Sequence, residues 1–297
     1  MSDSRVLLVR SFLPRCTFPP ATTPVVCGLS GGADSTALVA LAIAAGCQVT
    51  AIHVHHGLRS DADNDAAIAC DNAERLGAEF RLVHVDLAAG PNLEARARAV
   101  RLQALGPDAM TGHTADDQAE TLLLALLRGA GATGLSAITP GHRHPILDLR
   151  TTETRLLCAG LDMAVADDPT NDDTRFRRNR IRHQLLPLLD DIAERDVAPL
   201  LNRTASLLRA DDLLLDELSR AIDPTDVDQL NTAPGPLAAR AVRRWLEIDG
   251  YPPDAAAVAR VMDVAAGTAP ACELAGGIRV VRQGSRLAHY PSGPGSR

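Results

Sequence analysis

The chain has 297 residues, a formal net charge of −7 and 46% hydrophobic residues, enough to bury the core of one large domain or of two ordinary ones. All 30 of its basic positions are arginine, because no lysine occurs. This absence excludes mechanisms that need a protein ammonium group, such as Schiff-base catalysis and the Walker A lysine that binds nucleotide phosphates.

The first half of the chain alternates short β-branched segments with helical segments. Strands are predicted at residues 25–29, 49–54, 80–85 and 109–111, and helices at residues 35–45, 61–76, 92–105 and 115–128. This alternation predicts an α/β fold with a doubly wound, Rossmann-like parallel sheet, in which ligands bind at the carboxyl ends of the strands. The functional loops should therefore follow Leu29, Val54 and Thr111.

The second half of the chain is mostly helical. Leucines at helical spacing predict a long helix at residues 197–222, and further signals predict helices at 236–248 and 254–265 and a hairpin at 277–290. We therefore expect two domains, residues 1–195 with the sheet and residues 196–297 as a small, mostly helical domain. Residues 1–23 show no clear amphipathic helix, and their pattern indicates no role.

The run Ser-Gly-Gly-Ala-Asp-Ser at residues 30–35 lies between the first predicted strand and the first predicted helix. Its glycines let backbone N–H groups approach an anion, helped by the helix dipole, and Ser30 and Ser35 add hydroxyl donors. The run matches neither the Walker A nor the Gly-x-Gly-x-x-Gly pattern. Asp34 would repel phosphates unless a cation lay between them, which indicates Mg²⁺ bound with pyrophosphate. The alternative is an ordinary strand-to-helix turn with capping residues.

A second run, Gly-His-Thr-Ala-Asp-Asp-Gln-Ala-Glu-Thr, follows the fourth predicted strand at residues 112–121. At about 100° per residue, His113, Asp116, Asp117 and Glu120 share one sector of roughly 100°. One helix face would thus present an imidazole and three carboxylates, which can hold a metal ion or an ammonium group. The alternative is a helix start where the dipole favours acids, but it does not explain His113 on the same face.

Three further segments accompany these two runs. His53 and His55 end the second predicted strand in the run His-Val-His-His-Gly-Leu-Arg, where they would contact adenine and ribose. The alternatives for these histidines are packing in the core or a chance metal site. Residues 92–98 open a helix with Asn92 as its cap, and their alternative is a solvated charged face. Arg128 ends the acidic helix beside a glycine-rich loop and supplies one cation.

A strongly basic helix is predicted after an acidic turn at residues 168–173. Arginine occupies positions 175, 177, 178, 180 and 182. Arg178 and Arg182 share a face, while Ile181, Leu185 and Leu188 should form the buried stripe. Because the acids just upstream do not suffice to neutralise five guanidinium groups, phosphate contact from ATP or RNA explains the run better than a solvated face does.

The charge is divided unevenly along the chain. Residues 1–173 hold 13 arginines against 21 acids, net −8, whereas residues 174–297 hold 17 against 16, net +1. An acidic protein binds polyanions only through local patches, so the arginine run is the place where RNA would bind. Aromatic residues make up 2% of the chain, too few for a platform on which bases stack.

Taken in order, these runs resemble the tRNA(Ile)-lysidine synthetase family of the N-type ATP pyrophosphatases, or PP-loop enzymes. The resemblance covers roughly residues 25–189, and the run Arg-Asn-Arg-Ile-Arg-His-Gln-Leu-Leu-Pro favours this family over its sulfur-transferring relatives. It implies a ligase that uses ATP and Mg²⁺ to join free L-lysine to C2 of the wobble cytidine of tRNA(Ile) with the anticodon CAU. An adenylated cytidine is the implied intermediate, and AMP and pyrophosphate are released.

The chain ends soon after Tyr290. It therefore resembles the short members of the family, which lack a further C-terminal domain. Discrimination against initiator tRNA would then rely on the remaining domains, and residues 196–297 would contact tRNA. A second copy of the chain is a further expected partner.

The resemblance also implies roles for individual residues. Asp34, Asp117 and Glu120 would be catalytic, with Asp34 and Asp117 as metal ligands, and which acid binds metal and which binds lysine stays open. The implied ATP contacts are Ser30, Gly31, Gly32, Ala33, Asp34, Ser35, His53, His55, Gly112, His113 and Arg128. The implied substrate or tRNA contacts are Asp116, Arg177, Arg178, Asn179, Arg180, Arg182 and His183.

Other functions would share parts of this pattern. A tRNA thiolase of the same superfamily would share the loop and the adenylation step, but the six cysteines are single and form no Cys-x-x-Cys pair. An amidating ligase would not need the arginine run, and a non-catalytic tRNA-binding module would not need Asp34 together with Asp117 and Glu120. Single cysteines, no signal peptide and no apolar run of bilayer length predict a cytoplasmic protein.

Overall fold

The computed structural model describes residues 3–55, 62–85, 93–166, 173–247 and 253–291. The chain forms two compact units, Met1–Leu207 and Leu208–Arg297, whose boundary lies within one long helix. The division of roles after residue 195 stays a prediction. Among the described residues, no helix combines the length and the apolar character needed to cross a membrane.

A three-stranded parallel sheet forms the centre of the first unit. Its strands lie in the order β1 (Pro24–Gly28), β2 (Gln48–His55) and β3 (Glu79–His84). Cys27 of β1 lies opposite Ala51 of β2. Both β1 and β2 contain valine and further apolar residues on both faces, as expected for strands covered on both sides. The predicted parallel sheet is confirmed.

The predicted strand at residues 109–111 is wrong as a strand. Met110 forms one parallel bridge with Cys27 of β1, so the chain does return to the predicted edge of the sheet. The ladder goes no further, because the next N–H group, that of Thr111, donates to the carbonyl oxygen of Arg143 at 2.9 Å. The loop after Met110 nevertheless lies at the carboxyl end of β1, where a functional loop was expected.

Helices cover both faces of the sheet. In the described residues up to Ser219 the α-helices are α1 (Asp3–Phe12), α2 (Ala33–Ala44), α3 (Ala62–Leu76), α4 (Leu93–Leu105), α5 (Ala115–Leu126), α6 (Ala132–Leu135), α7 (Thr151–Gly160), α8 (Arg177–Arg180), α9 (Leu186–Ala193) and α10 (Ala198–Ser219), of which α2, α3 and α4 contact the strands. Val25 and Cys27 pack into the main core with α2. Val26 packs on the other face against Leu105 of α4, as the alternation of side chains along a strand requires. The predicted doubly wound arrangement is therefore confirmed.

The N-terminal helix α1 corrects the expectation that residues 1–23 form no clear amphipathic helix. Val9 and Phe12 are buried in the main core, and α1 packs against α2 and α7. The helical pattern is weak in the sequence because only these few positions are covered, while Leu7 is exposed.

The segment that carries the arginine run, residues 175–193, is called the basic segment. It is helical from Arg177 to Ala193, but the helical register shifts within it. A π-helical turn, Ile181–Leu185, separates α8 from α9. A π turn holds more residues than an α turn, so the buried face moves along the sequence. Ile181 and Leu186 are buried, whereas Leu188 is 52% exposed. The prediction that Leu188 belongs to the buried stripe is therefore wrong.

The second unit combines helices with a small antiparallel sheet. Its elements are α11 (Val227–Thr232), α12 (Gly235–Trp245), α13 (Ala255–Ala266), β4 (Ala271–Leu274), β5 (Ile278–Gln283) and β6 (Arg286–Pro291). Val242, Val261 and Val280 are fully buried in its core. The hairpin of β5 and β6 confirms the predicted one. The short strand β4 extends this hairpin to a three-stranded sheet.

Candidate active site

The candidate phosphate loop connects β1 to α2. Gly31 has φ +91°, and a Cβ atom there would lie 3.1 Å from the carbonyl oxygen of Asp65, so the position requires glycine. The Ser35 hydroxyl donates to the carbonyl oxygen of Gly32 at 3.0 Å, and the Ser30 hydroxyl lies 3.0 Å from that of Ser35. The two serines thus hold the loop in a closed turn at the start of α2.

Asp34 lies in the first turn of α2, where its carboxylate meets two threonine hydroxyls. Thr154 Oγ1 donates to Oδ1, and Thr151 Oγ1 lies 3.4 Å from Oδ2. Burial is the main reason that the pKa of Asp34 is raised to about 6, and the hydrogen bond from Thr154 opposes this rise. In the described part of the chain no arginine forms an ion pair with Asp34, although Arg182 lowers its pKa from a distance.

Gly112 brings the loop after Met110 against the phosphate loop. A Cβ atom at Gly112 would lie 2.7 Å from the carbonyl oxygen of Asp34 and 2.9 Å from the nitrogen of Ser35. Both are backbone atoms that a side chain does not displace cheaply. Gly112 therefore supports the loop by close backbone packing.

His53 connects the end of β2 to the start of the phosphate loop. It is 6% exposed, and its Nδ1 donates to the carbonyl oxygen of Leu29 at 2.9 Å. Burial lowers the pKa of His53, so the ring is neutral near pH 7 and carries its proton on Nδ1. The neighbouring histidine of β2, His55, has a different partner: its Nε2 lies 3.0 Å from Oδ1 of Asp63.

His113 lies before α5 because Thr114 is the N-cap of that helix. Its Nδ1 and that of His144 approach Thr111 Oγ1 at 2.7 and 2.9 Å, and the two Nδ1 atoms lie 3.2 Å apart. The prediction that His113 shares a helix face with the three acids is therefore wrong. Its partners are a hydroxyl and a second imidazole at the same edge of the sheet.

The first acid of α5, Asp116, is paired with Arg150. Arg150 Nη2 and Nε donate to Asp116 Oδ1 at 2.8 and 3.0 Å, and the N–H group of Thr151 donates to Oδ2 at 2.7 Å. Burial alone would raise the pKa of Asp116. The hydrogen bonds from Arg150 and Thr151 outweigh burial, so its pKa lies below the ordinary value.

The other two acids of α5 face the basic segment and form the arginine–acid cluster: Asp117, Glu120, Arg178 and Arg182. Arg178 donates to Glu120 Oε2 at 2.6 Å and to Asp117 Oδ1 at 2.7 Å, while Arg182 donates to Glu120 Oε1 at 2.5 Å. Glu120 is fully buried, and Asp117 Oδ2 accepts the N–H group of Thr114 at 2.8 Å. Two positive and two negative charges therefore neutralise one another inside the first unit.

The remaining predicted residues do not join these groups. Arg177, Arg180 and His183 are exposed on the basic segment. Asn179 is buried, and its amide donates to the carbonyl oxygen of Asp173 at 2.9 Å. Arg128 is exposed two residues beyond the end of α5.

Within the described residues, the acids just upstream do not neutralise all five arginines of the basic run, as expected. Arg175 pairs with Asp173 at 2.7 Å, close in sequence, whereas Arg178 and Arg182 find their partners on α5. Residues 56–59, Asn92 and the acidic turn at 168–172 lie outside the described residues. Four residues of the site belong to no motif in the sequence: Arg150, Thr151, Thr154 and His144. In the sequence, Arg150, Thr151 and Thr154 look like an ordinary helix start.

Comparison with known proteins identifies relatives of the whole arrangement. The PP-loop domain family matches residues 12–189, and the TilS substrate binding domain matches residues 226–287. A tRNA(Ile)-lysidine synthase of Nocardia farcinica is 43% identical over 244 residues, 77% of each chain. One of Rhodococcus erythropolis is 43% identical over 239 residues, 75% of this chain and 73% of the relative.

A solved structure of a U34-tRNA thiolase from Methanococcus maripaludis aligns with a TM-score of 0.49 at 18% identity, over 69% of this chain and 78% of the other. This likeness is too weak to carry an argument. The sequence relatives, by contrast, exceed 40% identity over about three quarters of both lengths, and the PP-loop match covers more than half of the chain. The chain belongs to the tRNA(Ile)-lysidine synthase family, whose members are PP-loop ligases.

Proposed function

We propose that this chain ligates free L-lysine to C2 of the wobble cytidine of tRNA(Ile) with the anticodon CAU. The observation that carries the proposal is the closed phosphate loop with Asp34 beside it, in a chain of the lysidine synthase family. ATP is the energy source, as in PP-loop enzymes.

In this proposal the phosphate loop, residues 30–35, binds the pyrophosphate part of ATP through N–H groups and the Ser30 and Ser35 hydroxyls. His53 and Gly112 act indirectly, since both support the loop from behind. His55 and His113 lie at the same edge and are proposed nucleotide contacts. Arg128 is a further proposed nucleotide contact, from its exposed position two residues beyond the end of α5.

Mg²⁺ is the proposed metal, and the residues present fit it. The described residues contain no group of three or more His, Cys, Asp or Glu side chains able to hold a metal ion. Mg²⁺ commonly binds through one or two carboxylates together with substrate phosphates, so Asp34 beside the phosphate loop suffices. Its carboxylate is partly buried and forms no ion pair with an arginine of the described residues, whereas both oxygens of Asp117 accept hydrogen bonds. When bound, Mg²⁺ would neutralise charge on the phosphates.

The chemistry proceeds in two steps. The cytidine O2 attacks the α-phosphorus of ATP, an O–P bond forms, and pyrophosphate leaves. The lysine amine, after losing a proton, attacks C2, and AMP departs with the electrons of the C–O bond while the nitrogen releases a second proton. The loop N–H groups and hydroxyls stabilise the charge that develops on the departing pyrophosphate. Adenylation is needed because the unmodified carbonyl oxygen leaves poorly.

The arginine–acid cluster is the proposed place for the lysine ammonium group. Asp117 and Glu120 already bind Arg178 and Arg182, so lysine would have to exchange with a guanidinium group. Release of one arginine would then free a cation for the tRNA phosphates or the AMP phosphate. In this exchange the acids would bind the lysine substrate, and the released arginine would bind phosphate.

Contact with tRNA is proposed for Arg177, Arg180 and His183, which are exposed on the basic segment, and for residues 196–297. Asn179 would act by holding the segment in place, because its amide is buried. Asp116 would fix Arg150 near the substrate. A homodimer and a cytoplasmic location, where tRNA, ATP and free lysine occur together, complete the proposal.

The direct test is to incubate the protein with tRNA(Ile) (CAU), labelled lysine, ATP and Mg²⁺. We expect label in the tRNA and one AMP and one pyrophosphate per lysine incorporated. Replacing cytidine 34 by uridine in the tRNA should abolish incorporation. Entry of sulfur or ammonia in place of lysine would overturn the proposal.

A second test addresses the role of Asp34. Asp34→Ala should abolish pyrophosphate release while tRNA binding survives, because the side chain lies beside the phosphate loop. Asp71→Ala on the exposed face of α3 is the matched control and should release pyrophosphate at the normal rate. Loss of tRNA binding alone would contradict the metal role of Asp34.

A further inference from the structure

One face of α7 packs against the start of α2. Thr151, Thr154 and Cys158 are three and four residues apart, so they lie on this face. Cys158 Sγ donates to the carbonyl oxygen of Ala33 at 3.4 Å, one residue before Asp34. Cys158 is buried, as is its neighbour Leu157. This packing sets the position of the two threonines relative to the Asp34 side chain.

The Thr154 hydroxyl donates its hydrogen bond to the Asp34 carboxylate. Thr154 has no exposed surface, so water does not compete for its hydroxyl. Its single proton has two acceptors within reach, Asp34 Oδ1 and the carbonyl oxygen of Thr151 at 2.9 Å. An ionised carboxylate is the stronger acceptor, and the β-branch of threonine restricts rotation about χ1.

The Asp34 carboxylate keeps free lone pairs in this arrangement. An ionised carboxylate offers about four acceptor positions over its two oxygens. Thr154 takes one on Oδ1, and Thr151 approaches Oδ2 at the longer distance of 3.4 Å. No other donor among the described residues takes the remaining positions, so they are available to a cation, and the hydrogen bond from Thr154 fixes the carboxylate plane.

We propose that Thr154 is a positioning residue, whose hydroxyl holds the Asp34 carboxylate in the one orientation that binds the cation of the ATP complex. The inference rests on the proposed function, in which Asp34 is the carboxylate that binds this cation. Thr151 contributes less because its contact is longer. The hydrogen bonds of the Thr154 hydroxyl go to Asp34 and to the carbonyl oxygen of Thr151, not to the serines of the phosphate loop, so binding of the nucleotide alone should not depend on it.

The test uses Thr154→Val, which removes the hydroxyl and preserves the shape, and Thr154→Ser, which preserves the hydroxyl. Binding of Mn²⁺ to the full chain with ATP is measured by electron paramagnetic resonance, and binding of ATP without metal by calorimetry. We expect Thr154→Val to weaken Mn²⁺ binding about tenfold, the size of one lost hydrogen bond to a charged group. Thr154→Ser should stay within about twofold of wild type, and metal-free ATP binding should be unchanged in both.

Two further variants separate the inference from the proposed function. Asp34→Asn should lose Mn²⁺ binding, and adding Thr154→Val to it should cause no further loss. If Asp34→Asn binds Mn²⁺ normally, the metal role of Asp34 fails and the inference fails with it. If Asp34→Asn loses the metal but Thr154→Val does not, only the positioning role is overturned. Should Thr154→Val not fold, Thr154→Cys, a weaker donor of similar size, must show the same loss.

Discussion

Two parts of the candidate site use the same residue types in opposite electrostatic settings. Asp34 is partly buried beside neutral hydroxyls, and the pKa of its carboxyl is raised to about 6. Glu120 is buried more completely, yet it binds two guanidinium groups. Burial of a charge is costly unless a partner compensates it, and of these two acids only Glu120 has charged partners at hydrogen-bond distance among the described residues. The phosphate-loop side therefore keeps an uncompensated charge for a ligand, whereas the arginine–acid cluster is already balanced.

The difference also separates what each carboxylate contributes to the free protein. The arginine–acid cluster joins α5 to the basic segment and should stabilise the first unit even without a ligand. Asp34 should instead destabilise it, because its charge is partly buried and its hydrogen-bond partners among the described residues are hydroxyls. Substitutions of the two acids should therefore change stability with opposite signs.

The largest effect is expected for Glu120→Gln. The change leaves Arg178 and Arg182 without their shared carboxylate, and breaking a buried ion pair in this way costs about 3–5 kcal/mol. Urea unfolding of the ligand-free chain measures this loss. Asp71→Asn, which breaks an exposed pair with Arg75, should change the free energy of unfolding by less than about 0.5 kcal/mol. Equal effects of the two substitutions would show that the cluster is not structural.

A smaller effect is expected for Gly112→Ala on the phosphate-loop side. The new methyl group would lie 2.7 Å from the carbonyl oxygen of Asp34, so the loop must shift, at a cost of about 1–3 kcal/mol. ATP affinity, measured by calorimetry, should fall about tenfold. Gly131→Ala is the matched control, because Gly131 has φ −78° and a methyl group there would meet no atom of the described residues within 4 Å. Unchanged ATP affinity in Gly112→Ala would mean that the backbone contact does not position the loop.

The third substitution, Asp34→Asn, should increase the free energy of unfolding, whereas the first two should lower stability or ATP affinity. The folded pKa of Asp34, about 6, lies above its ordinary value of 3.8, so the ionised form destabilises the folded chain above pH 6. Asp34→Asn should raise the free energy of unfolding at pH 7.5 by about 1–2 kcal/mol while adenylation is lost. The gain should shrink as the pH falls from 6 towards 4, where wild type binds a proton. A loss of stability at pH 7.5 would contradict the uncompensated charge.

The sequence predicts the phosphate loop and the parallel sheet because both depend on local patterns. The glycine at position 31 is needed for a positive φ, and the two adjacent valines of β1, Val25 and Val26, pack on its two covered faces. The position of Gly112 beside the loop also follows from the order of the strands. These features are determined within a few residues or by the topology of the sheet.

The pairing of charges is not local, and the sequence does not reveal it. Arg178 and Glu120 are 58 positions apart, and Arg150 and Asp116 are 34 apart. Helical spacing places three acids on one face of α5, but it says nothing about which arginines approach that face. Thr154 is found only through the packing of α7 on α2, since a threonine in a helix has no sequence signature of its own.

The smallest effect is expected at the two cysteines that flank the phosphate loop. Burial raises the pKa of the Cys27 and Cys158 thiols to about 12, so their thiolate fraction at pH 8 is roughly a thousandth of that of an ordinary thiol. Iodoacetamide should therefore label partly exposed Cys70 first, as followed by mass spectrometry, and leave lysine incorporation unchanged. The contrary outcome is that Cys27 or Cys158 reacts as fast as Cys70 and that activity is lost. This would show that the interior beside Asp34 is open to solvent, and it would favour thiolase chemistry.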